Sequence, residues 1–121
     1  MEVPSKAVQT LMEIGVATAA SGLASQALTI FEGIGAVRPD SEGVGMGVAM
    51  AQMGARAYDD AAKTLRDQVL ARHPTSVEAK MFLGLALKLG GRNAECDSVI
   101  KELAASSDAK ARDFAATLKA P

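Results

Sequence analysis

Residues 43–54 read Gly43-Val44-Gly45-Met46-Gly47-Val48-Ala49-Met50-Ala51-Gln52-Met53-Gly54. One reading of Gly-x-Gly-x-Gly is a loop that cradles phosphate. Such a loop follows a hydrophobic strand and leads into Gly-Lys-Ser/Thr, and neither is present here. The other reading is a helix. Met46, Met50 and Met53 lie four and three residues apart, a spacing that stacks them on one helical face. Almost every other place holds Gly or Ala, so a neighbouring helix can approach closely. Asp40 or Ser41 can cap the start, and Glu42 suits the positive end of the helix dipole. Each interior Gly costs about 1 kcal/mol relative to Ala, which leaves this helix marginal by itself.

Outward from this stretch the chain compares with itself. Segments starting at Val8, Glu42 and Val77 carry the pairs Ile14-Gly15, Val48-Ala49 and Leu83-Gly84. Gly15 to Ala49, Ala27 to Ala61 and Phe31 to Leu65 are each 34 apart; Ala49 to Gly84, Ala61 to Cys96 and Leu65 to Ile100 are each 35 apart. One inserted residue, placed near His73-Pro74, accounts for the change. Gly22, Gly54 and Gly91 mark breaks inside the three segments, and Pro39 and Pro74 close the first two. Small residues at Gly15, Ala49 and Gly84, and at Ala27, Ala61 and Cys96, suit the crossing points of paired helices. Phe31, Leu65 and Ile100 then fill the space towards the next pair.

A period of 34 with this pattern resembles the tetratricopeptide repeat, with Tyr58-Asp59-Asp60-Ala61 the best local match. The position that holds Trp in that family holds Leu11, Gly45 and Lys80. The expectation is an all-α, single-domain helical-hairpin solenoid over residues 1–121. Its repeats are about 8–41, 42–76 and 77–107, with a capping helix at about 108–119. Individual helices are expected at 5–20, 24–36, 58–72, 76–89 and 93–105, with the stretch 43–54 as the third. Ser5 behind Pro4 is a candidate cap for the first, whose apolar residues are Val8, Leu11, Met12, Ile14 and Val16.

The totals agree with one helical domain and exclude several functions. The chain has 121 residues, net charge −1, 49% hydrophobic residues and no Trp. Neither nucleic acid nor an anionic membrane is implied by that charge. The start, Met1-Glu2-Val3-Pro4-Ser5-Lys6, lacks the pattern of a signal peptide, and no apolar run is long enough to span a bilayer. A cytoplasmic location is expected. One Cys and one His supply no disulfide, metal cluster or catalytic triad, so no metal, cofactor or enzymatic activity is expected. Cys96 reads as a buried thiol, His73 as a surface residue at a helix C-terminus, and Asp59, Asp60, Asp67 and Glu95 as solvated charges.

In such repeats the first helix of each pair lines the inner face. Its fifth place holds Met12, Met46 and Met81; its ninth holds Val16, Met50 and Leu85; its twelfth holds Ala19, Met53 and Lys88. Every methionine after Met1 falls on that face. An apolar, Met-rich groove suits an amphipathic helix, because Met repacks easily around different shapes. Met12, Val16, Met46, Met50, Met53, Met81 and Leu85 are the candidate partner-binding residues. A stripe facing the core of a tighter bundle, or a groove closed by self-association, remains the alternative.

Ser106-Ser107-Asp108 through Phe114-Ala115-Ala116, together with Leu83-Gly84-Leu85-Ala86-Leu87-Lys88-Leu89-Gly90, resembles the needle-subunit chaperones of type III secretion (YscG/PscG type). The resemblance implies a cytoplasmic chaperone that holds the needle subunit's C-terminal amphipathic helix in its groove. It also implies a small helical co-chaperone on the N-terminal repeat. The competing class is a general interaction scaffold or self-associating adaptor.

Overall fold

The computed structural model describes residues 5–119. Among them the chain is all-helical: α1 Ser5–Ala20, α2 Ala24–Val37, α3 Glu42–Gly54, α4 Tyr58–Thr64, α5 Val77–Leu89, α6 Asn93–Ala104 and α7 Ala109–Lys119. Helix α4 does not end at Thr64; it continues without a break as a π-helical turn, Leu65–Leu70. The helix expected at 58–72 stops with that turn at Leu70, two residues early, and the others appear with their ends moved by a residue or less. Pro4, and the rest of the stretch read for a targeting signal up to that residue, lie outside the described residues.

The turns inside the helix pairs share one geometry. Gly22, Arg56 and Gly91 have φ of 82°, 62° and 75°. After each of them an N–H reaches back five residues: Leu23 to the Thr18 carbonyl, Ala57 to Gln52 and Arg92 to Leu87, at 3.1, 2.8 and 2.8 Å. A left-handed residue closed by such a bond is a common helix stop, and Gly usually fills it. In the second pair the left-handed residue is Arg56, not Gly54. Gly54 is still helical, and the backbone places the strain two residues later on a side chain that tolerates it at about 1–2 kcal/mol.

The connectors between pairs also match. Ser41 Oγ accepts from Val44 N–H at 3.3 Å, and Ser76 Oγ accepts from Ala79 N–H at 3.2 Å. Asp108 Oδ1 accepts from Lys110 N–H at 2.8 Å at the start of α7. Each satisfies an amide of the first turn that has no partner within its helix.

Small residues carry the crossings. Gly15, Ala49 and Gly84 are buried, as are Ala27, Ala61 and Cys96. Phe31, fully buried, inserts its ring between α1 and α3: β-carbons added to Gly15 and Gly47 would lie 2.8 and 2.3 Å from it. A β-carbon on Gly45 would meet Val69 at 2.5 Å, and one on Gly43 would meet the Met12 methyl at 2.8 Å. The three glycines that weaken α3 as an isolated helix are thus the places where α1, α2 and the π turn press against it. Leu65 fills its pair as Phe31 does, whereas Ile100 is only half-buried.

Two core clusters result. One joins Ala19, Ala27, Phe31, Ile34 and Ala51; the larger runs from Ala49 through Leu65, Val69, Leu83, Leu87 and Leu103 to Leu118. Among the described residues Thr64 is the buried polar side chain, and its hydroxyl donates to Gln52 Oε1 at 2.7 Å.

Candidate partner-binding face

The seven candidate residues sit on the first helix of each pair: Met12 and Val16 on α1, Met46, Met50 and Met53 on α3, Met81 and Leu85 on α5. None is fully buried. They divide by what they touch. Met46, Met53, Met81 and Leu85 lean on the larger core cluster, and Met12 leans on the smaller one. Val16 and Met50 belong to neither, and Val16 is 37% exposed. These two occupy equivalent places, 34 residues apart.

Around Val16 the surface forms an open depression of about 450 Å³, lined by Gln9, Met12, Glu13, Val16 and Ala17. The other twelfth places lie apart from it. Ala19 is buried, and the Lys88 ammonium donates to the Leu118 carbonyl across to α7.

Several of the apolar residues of α1 are exposed. Leu11 is 41% and Ile14 is 48% exposed, while only Gly15 and Ala19 of α1 are buried. Helix α1 packs on α2 and on α3. Val48, 34 residues after Ile14, packs on the smaller cluster because α1 and α2 stand before it. Among the described residues nothing stands before α1. Leu23, Val37 and Leu89 are further exposed apolar side chains that helical spacing did not single out.

Part of the charge on the described residues is paired. Arg92 holds Asp59 through two hydrogen bonds of 3.2 and 3.0 Å. The bonded guanidinium lowers the Asp59 pKa below its ordinary value. Arg66 pairs with Glu95, Arg72 with Asp40, and Lys80 with Glu102 at 3.9 Å. Asp59 and Glu95 are therefore partners in ion pairs and not simply solvated charges. His73 Nε2 lies 3.3 Å from the Asp40 carbonyl. Cys96 is buried, with Sγ 3.5 Å from the Gly84 carbonyl; burial first, then Asp97, raises its pKa, against an opposing effect of Lys88. Among the described residues no group of three or more His, Cys, Asp or Glu is placed to hold a metal ion. No described helix is long and apolar enough to cross a membrane.

No family model, no curated protein and no solved structure matches this chain.

Proposed function

We propose that this chain is a tetratricopeptide-like helical-repeat protein that holds the apolar side of a helical partner against α1, α3 and α5. The observation that carries this reading is the pair Val16 and Met50. They occupy the same place in successive pairs, on the same face as the other methionines, and neither is used by a core cluster. An apolar side chain kept out of the core at a recurring position suits contact with something else. The turn geometry recurring at Gly22, Arg56 and Gly91 supports the repeat solenoid. Flexible thioethers beside Met50 would adapt to the partner's surface.

The partner class comes from the resemblance to type III secretion chaperones. A needle subunit, built to polymerise, has an apolar helix that needs cover before export. The chain would then act in the cytoplasm, with a small helical co-chaperone on its N-terminal pair. The second reading, a general scaffold or self-associating adaptor, draws on the exposed Leu11 and Ile14 of α1.

Capture from the native cell with Met50→Glu and Met46→Glu proteins tests the proposal. Met50→Glu should remain as helical and as stable as wild type and lose a small helical partner. Met46→Glu should lose stability as well, because it removes a core contact. If Met50→Glu keeps every partner that the wild type captures, the binding face lies elsewhere. A partner lost only on charging Leu11 and Ile14 favours the scaffold.

A further inference from the structure

The change of period from 34 to 35 has a definite address. Phe31 to Leu65 is still 34, but Ile34 to Val69 is already 35, as are Arg38 to His73 and Pro39 to Pro74. The equivalence is structural as well. Arg38 N–H bonds the Ile34 carbonyl and His73 N–H bonds Val69, both at 2.8 Å. The extra residue therefore lies among Arg66, Asp67 and Gln68, upstream of the His73-Pro74 site that sequence comparison assigned. It falls inside the π turn, where Ala71 N–H reaches back five residues to Arg66 at 3.1 Å.

One more residue in an α-helix turns all that follows by about 100° and advances it about 1.5 Å. A π turn absorbs the residue locally by widening the coil. Here it keeps both flanking side chains inward. Phe31 and Ile34, three apart, are buried in α2; Leu65 and Val69, four apart, are buried in the second pair.

The neighbourhood of this turn is also where the stacking changes. Helix α1 packs on α3, and α5 packs on α7, but no comparable packing joins α3 to α5. Helix α5 rests on α4 and on the π turn instead. The start of α5 stays tied to α3 where Ser76 Oγ donates to Glu42 Oε1. Between the two helices, Met46 and Met53 from one and Met81 and Leu85 from the other lean on a single core cluster. Arg66, within the turn, pairs with Glu95 of α6.

We propose that the π turn Leu65–Leu70 is a one-residue spacer that holds α5 away from α3 and so sets the width of the methionine-lined interval between them. The spacing itself does not depend on any partner; its use in binding rests on the function proposed above.

Spin labels at Ala55→Cys and Leu89→Cys, in a Cys96→Ala background, report the separation of the two helices without a partner. Deleting Asp67, an exposed residue of the turn, should shorten the mean distance, and Asp67→Ala should leave it unchanged. An unchanged distance after deletion overturns the proposal. So does a deletion that unfolds the chain, because the first pair runs the same path with one residue fewer. In the intact protein the Ala71 amide should show a through-hydrogen-bond coupling to the Arg66 carbonyl; coupling to Asp67 in its place also overturns it. None of these outcomes bears on Met50→Glu capture, so the spacer and the binding face can fail separately.

Discussion

The ring of Phe31 occupies the space that a β-carbon on Gly47 would need, 2.3 Å from its Cε1. Phe31 is fully buried, so its ring has no free direction in which to yield. Gly47→Ala gains about 1 kcal/mol of helix propensity but forces overpacking that costs about 1–3 kcal/mol. Thermal unfolding should show a lower midpoint. Gly33→Ala is the control: it is exposed in α2, with nothing within 4 Å of an added β-carbon. That change should raise the midpoint. If both raise it, the Phe31 wedge is wrong.

Ser76 caps α5 and also donates to Glu42 at the start of α3. Ser41 caps α3 by the same bond to its own helix. Ser76→Ala and Ser41→Ala should each cost about 1 kcal/mol in urea unfolding. The Ser76 change should be the larger, since it also leaves the half-buried Glu42 carboxylate without its donor. Equal losses would mean that the link between the two helices adds nothing.

Asp59 is held by Arg92, and its pKa is lowered in the folded state. A depressed folded pKa contributes stability that is present above the unfolded value, about pH 4, and is lost as pH falls through the folded value. Wild type should therefore exceed Asp59→Asn in thermal midpoint at neutral pH, with the gap closing below about pH 4. Both residues are exposed, so the gap should be small and should shrink in high salt. A gap that widens on acidification contradicts the pairing.

Cys96 takes the small-residue place of α6 and is buried against Gly84. Burial raises its pKa, so thiolate is scarcer than at an exposed cysteine. A thiol reagent at pH 8 should label the native protein slowly and the urea-unfolded protein rapidly. Fast native labelling would show that α5 and α6 separate readily.

Sequence alone determined the helices, their pairing period and which small residues lie at crossings, because these depend on local periodicity and on side-chain size. Gly15, Ala49, Gly84, Ala27, Ala61 and Cys96 were all legible in that way. It also marked Met12, Val16, Met46, Met50, Met53, Met81 and Leu85 as one face. Periodicity cannot say how far a side chain on that face reaches into a neighbour. Only tertiary packing separated Val16 and Met50 from the five that lean on core clusters.

The same limit governed the remaining differences. Counting detected an extra residue, but hydrogen bonding placed it in a π turn, since a helix can absorb an insertion at any point its neighbours allow. Arg56 took the left-handed position because the turn follows the path of the two helices, not the nearest Gly. Leu11 and Ile14 belong to the apolar residues of α1 and are exposed, because burial requires an element on that side of the helix. Which residues are apolar is a property of the chain; which of them meet a neighbour is decided by where the other helices lie.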